Sequence, residues 1–253
     1  MKRIPAIVMI LVLGGWCWAG PGLDHDHGVW GDVLERFVAQ GRVDYRGLQA
    51  EPELLLGYLR GLAEVDSRTF HGWSREEQLA YLMNLYNAQT IDLIRRRYPL
   101  NSIRDIGSLL RGPWGQPVVT LFGRIISLDT LLKQVILPNY PDVRVHFGLS
   151  PATRGGPKLR EEPFRGVDLD EQLDDQVRRF LGDATRNRVD HERRELILSP
   201  LFTWHRDEFL RDAGTVNGFV RRFLPEEEVE RMGEEVYRVR EATYDWRLND
   251  WVR

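Results

Sequence analysis

Cysteine is almost absent from this chain: 253 residues contain one, Cys17, inside the apolar N-terminal stretch. Beyond about residue 20 there is none. That excludes a thiol nucleophile, a disulfide and a cysteine-built metal site there, and leaves core packing alone to hold the fold. A basic excess is also missing. Setting aside Lys2 and Arg3 takes the 35 basic residues to 33 against 38 acidic ones, and the net charge from −3 to −5. This balance argues against nucleic acid as a partner and provides no basic face for an anionic membrane. A second long apolar run is absent as well, so nothing after the N-terminus reads as a membrane span. Nor is there a Gly-x-Ser-x-Gly elbow, a P-loop or a dinucleotide fingerprint.

What the chain does have begins with its leader. Met1-Lys-Arg precedes the apolar run Ile4 to Gly15, and Cys17-Trp-Ala19 offers a small-residue cleavage site before Gly20. The expectation is a signal peptide over 1–19, with a single domain over 20–253 that is exported to a periplasmic or extracellular setting. The alternative is a lipid anchor on Cys17, against which the bulky Trp16 speaks.

Apolar spacing predicts helices over 29–40, with Gly41 as the stop, and over 51–64. The capping box Ser74-Arg-Glu-Glu77 opens the longest helix, about 75–97, which is apolar on more than one side and hence central. Val118 to Ser127 reads as a hairpin turning near Gly123, followed by a helix to about 136. Val143 to Leu149 alternates like a strand. An amphipathic helix over 168–181, a hairpin from 187–189 and 195–198, helices near 205–212 and 215–223, and a strand near 235–240 complete the reading. The fold class is α+β: one domain with a long central helix, several amphipathic helices and a small, mostly antiparallel sheet.

Three places carry chemistry. Asn84 and Asn87 lie three apart on the central helix, flanking Tyr86. Asparagine is a poor helix former and a buried amide is costly without partners, so these amides either fix a neighbouring loop or line a polar cleft. His146 is either a hydrogen-bonded core residue or a proton carrier, with Glu162 as the nearby carboxylate. The loop Thr153-Arg-Gly-Gly-Pro157 is either a tight turn or a site where backbone amides approach a ligand, with Arg154, Gly155, Gly156 and Arg160 as candidate contacts. Asp24-His25-Asp26-His27 resembles a metal-binding tract, but it sits among the first residues after the leader, where disorder is usual. No metal ligand set and no cofactor is assigned.

Several segments fall into one pattern: Gly41-Arg-Val-Asp-Tyr45, Gln78 to Ala88, Ser102-Ile-Arg-Asp-Ile106, Ser127-Leu-Asp129, Asp142 to Phe147, Leu169 to Asp174, Leu198 to Trp204 and Tyr244-Asp-Trp246. Together they resemble the domain of unknown function 547 family across nearly all of the chain beyond the leader. Family members carry two cysteines in the loop after the His-Phe pair. An ungapped comparison places Pro151 and Gly156 at those positions. If the cysteines form a disulfide in relatives, their joint loss is one structural event, whereas loss of a nucleophile would remove that chemistry altogether. The resulting expectation is a binding or accessory protein that holds a small polar or anionic ligand, or a peptide, near His146 and the 150–159 loop. One alternative is a non-thiol hydrolase using His146 and Glu162; the other is a purely structural interaction module. The sequence leaves the oligomeric state open.

Overall fold

The computed structural model describes residues 23–107 and 111–251. The expected leader, its cleavage site and Cys17 lie outside them. Among the described residues no helix is long and apolar enough to cross a membrane.

The central helix spans Arg75–Arg95, and the Ser74–Glu77 capping box forms as the sequence requires. Every residue from Leu79 to Ile94 is buried, which explains why its apolar positions encircle it instead of forming one stripe. Helix Glu53–Ala63 packs beside it, and helix Gly28–Phe37 packs on that helix in turn through a stacked Trp30–Tyr58 pair at 5.5 Å. The expected hairpin is present as Pro117–Leu121 and Arg124–Ser127, with positive φ at Phe122 and Gly123 in a two-residue turn. Gly41 does not stop the first helix. The chain turns extended at Val38, and Gly41 forms the tip of a short hairpin, Val38–Ala39 with Arg42–Val43. Its φ of 73° and its closeness to Lys158 both favour a residue without Cβ there.

Two departures matter for the site. Residues 143–149 do not form a strand: Val145–Gly148 is a short helix. Its residues are buried on all sides, so apolar alternation had no exposed face to report on. The helices Tyr45–Ala50, Ser67–His71, Leu201–Trp204 and Glu226–Met232 are too short to show a period. Among the described residues the strands form three small sheets. In the largest, Arg188–Asp190 pairs antiparallel with Glu195–Leu198, which pairs parallel with Arg238–Glu241. The α+β class holds, with this parallel pair as the exception to its antiparallel character.

The core has two parts. One gathers around the central helix. The other gathers Phe147, Phe180, Phe202, Phe209 and Phe219 beneath the three-stranded sheet. Helix Leu169–Leu181 contributes to both, through Leu173 on one side and Val177 and Phe180 on the other. The C-terminal segment then returns to the first core: Tyr45 donates to Asn249 at 2.7 Å, and Val43 bridges to Asp250.

Candidate functional site

The loops of this protein are held by amide side chains that imitate a strand partner. Asn84 Nδ2 donates to the Phe164 carbonyl at 2.7 Å, while its Oδ1 accepts from the Phe164 amide at 3.0 Å. Asn87 does the same across one turn: Nδ2 donates to Gly148 O at 2.9 Å, and Oδ1 accepts from Ser150 N at 2.9 Å. Asn187 bridges Phe180 and Ser199, Asn217 grips both backbone groups of Tyr237, and Gln172 joins Pro163 to Arg165. Each clamp gives side-chain hydrogen bonds to two backbone groups at once. Of the two roles open to Asn84 and Asn87, loop fixing is therefore the one the geometry displays. Tyr86 is buried on the same helix, and the clefts described next draw no lining from these three residues.

The loop so anchored forms one wall of a cleft of about 440 Å³. Thr153, Arg154, Gly155 and Lys158 face it from the loop, Arg42 from the first hairpin, Asp183 and Arg186 from the turn after helix Leu169–Leu181, and Asp245 and Arg247 from the C-terminal segment. Among the described residues the lining thus holds five cationic side chains and two carboxylates. Both carboxylates are engaged: Asp183 by Arg186 and by Lys158 at 3.4 Å, and Asp245 by Arg247. The Arg247 hydrogen bond holds the Asp245 carboxyl below its usual range. Arg42 and Arg154 are left in excess. The Arg186 side chain is 10% exposed, and its Nε has no hydrogen-bond partner among the described residues. A second cleft shares Lys158, Asp183 and Arg186 and adds Phe147, Leu159 and Phe180, giving the groove an apolar end.

The sequence-nominated loop residues divide. Arg154 and Gly155 line the cleft. The Gly155 amide donates to Asp245 O at 2.8 Å, and a Cβ there would stand 2.6 Å from the Asp245 nitrogen. Gly155→Ala should therefore push the loop off the C-terminal segment and cost about 1–3 kcal/mol, measured by urea denaturation. Gly156 packs inward, where a Cβ would meet the Pro151 ring at 2.3 Å. Positions 151 and 156 thus touch, and the proline fills space that a side chain at 156 would need. Arg160 is held by Asp175, and by Glu162 at 3.4 Å.

His146 is buried, and the carboxylate it meets is not Glu162. Its Nε2 lies 2.6 Å from Glu208 Oε2, while Glu162 is largely exposed beside Arg160. Glu162 is the carboxylate nearer to His146 in sequence, but helix packing brings Glu208 to it instead. His205 stacks on the His146 ring at 3.6 Å and places Nδ1 3.3 Å from Glu208 Oε1. Burial pushes the His146 imidazole below its usual range, against the pull of Glu208. Desolvation pushes the Glu208 carboxyl up, yet the hydrogen bonds from His146 and His205 outweigh it and hold the group well below the carboxylate range. The His-x-x-Glu spacing of His205 and Glu208 is the sequence signal for their contact.

Residues 70–181 match the family model described as "Protein of unknown function, DUF547". Over that segment the chain is similar to the DUF547 family. It runs from the approach to the central helix to the end of helix Leu169–Leu181, so it holds His146, both loop asparagines and the 150–159 loop. The match is narrower than the resemblance read along the sequence. Arg186, His205, Glu208 and Arg247 lie beyond the DUF547 segment. No curated protein and no solved structure matches the chain.

The Asp24–His27 tract is ordered. Asp24 caps the first helix through the Gly28 amide at 2.8 Å, and buried His27 meets the Tyr58 hydroxyl through Nδ1 at 2.8 Å. The expectation of disorder fails because Tyr58 and the helix start give these polar groups partners.

Proposed function

We propose that this is an exported binding protein whose cleft takes the anionic end, carboxylate or phosphate, of a small organic molecule or peptide. The observation that supports it is the excess of cations over carboxylates around the loop, with a buried Arg186 Nε left without a partner. Guanidinium groups suit planar and tetrahedral oxyanions, and a site of low dielectric strengthens the attraction. The apolar end supplied by Phe147, Leu159 and Phe180 favours a ligand whose anionic group carries a hydrocarbon or aromatic portion. The basic, apolar and small-residue order of residues 1–19 supports export.

The test is calorimetry of the full chain against a panel of aliphatic and aromatic carboxylates, phosphate monoesters and peptides with free C-termini. At least one class should bind. Arg42→Ala and Arg154→Ala should each weaken it about tenfold, the size expected for one lost charge-assisted hydrogen bond. Unchanged affinity in the double variant, or no binding from any class, overturns the reading.

A further inference from the structure

We propose that His146, His205 and Glu208 form a binding site for a divalent transition-metal cation, of the two-histidine, one-carboxylate kind. Each residue offers one ligand atom, and the three atoms lie within 4.8 Å of one another. They come from two elements that pack together. His146 is on the short helix Val145–Gly148, held in place by the Asn87 clamp on Gly148 O. His205 and Glu208 straddle the start of helix Arg206–Ala213, and that i, i+3 spacing puts both side chains on one face. The two oxygens of Glu208 already reach both rings, Oε2 to His146 at 2.6 Å and Oε1 to His205 at 3.3 Å.

The donor set selects the ion. Two imidazoles and one carboxylate suit zinc, cobalt, nickel, copper or iron, whereas calcium and magnesium require oxygen ligands. Metal–ligand distances of about 2.0–2.2 Å place neighbouring donors roughly 3.3 Å apart in a tetrahedral site. The His146–Glu208 contact must therefore open by somewhat less than an ångström, and the proton it shares leaves to solvent. Glu208 also lines a cleft of about 440 Å³ together with Asp142, Arg211 and Asp212. Through Glu208 the site borders this space, from which water or a small anion could complete the coordination. The cluster uses no residue of the anion cleft.

Cobalt alone, added to the full chain and followed by its visible absorption, tests the site. A single equivalent should give a d–d spectrum that one equivalent of zinc removes. Glu208→Gln and His205→Gln should each weaken cobalt binding about a hundredfold or more, since even outer partners of metal ligands are worth 10–100-fold. His205 is a quarter exposed, so its variant spares the core and keeps the test meaningful if the Glu208 variant is unstable. His25→Ala should leave the spectrum unchanged. The proposal is overturned if the wild type shows no cobalt spectrum at submillimolar metal, if the spectrum persists in both cluster variants, or if it disappears with His25→Ala.

Discussion

Alanine in place of Asn84 should cost this protein about 3 kcal/mol of stability, read from the midpoint of urea denaturation at constant slope. The amide is fully buried and serves the Phe164 carbonyl and the Phe164 amide together. Removing it strands both, and each buried, unpaired backbone group costs about 1–3 kcal/mol. Asn87→Ala strands Gly148 O and Ser150 N and should cost a similar amount. The two clamps share no partner but sit one turn apart, so a double variant tests whether their losses add. Asn84→Asp separates the two halves of a clamp. It keeps the acceptor for the Phe164 amide but turns a carboxylate oxygen toward the Phe164 carbonyl, so it should be no better than alanine. A loss below about 0.5 kcal/mol for Asn84→Ala, within the range of ordinary surface substitutions, would refute the clamp.

Acid should destabilise the fold well before its carboxylates titrate, and His27 is a principal cause. Burial, with the charge of His25 adding to it, pushes the His27 imidazole down to about 4 from an ordinary 6.5. The folded state therefore refuses a proton that the unfolded chain accepts. Above pH 6.5 neither state is protonated and stability is unaffected. Between 6.5 and 4 the unfolded chain gains the proton alone, and stability falls by roughly 3 kcal/mol in total, at 1.36 kcal/mol per pKa unit. Below 4 both states are protonated and this contribution levels off. His146, also depressed by burial, adds a loss of the same sign. The variant that isolates His27 is His27→Asn. Asparagine keeps an acceptor for the Tyr58 hydroxyl and tolerates the left-handed backbone at φ 54°. Denaturation series from pH 7 to 4.5 should be shallower in that variant, and identical slopes would show that His27 protonates freely in the fold.

How far the sequence disclosed this molecule depended on what each signal measures. The central helix was legible because Ser74 and Glu77 form a local cap and the apolar run that follows is long. The hairpin at Gly123 was legible because its turn is built from neighbouring residues. Helix Val145–Gly148 was not, since period two and period 3.6 both fail where every side chain is buried. The cleft was half legible. Arg154 and Gly155 stand out in a glycine-rich loop, but Arg42, Arg186 and Arg247 are ordinary surface arginines until the fold assembles them. Glu208 escaped for the same reason, because its partner is 62 residues away.

The cleft walls carry a further consequence, for the order in which the protein becomes competent. Arg42 stands near the beginning of the described chain and Arg247 near its end, and Gly155 rests on Asp245 between them. In a chain that emerges N-terminus first, every partner of the central helix's capping box and of the Asn84 and Asn87 clamps is present by residue 164. The cleft proposed to take an anion gains its last wall only with residues 243–249. The wall is thus completed late, and a chain truncated before Tyr244 should lack the Asp245 and Arg247 side of the groove.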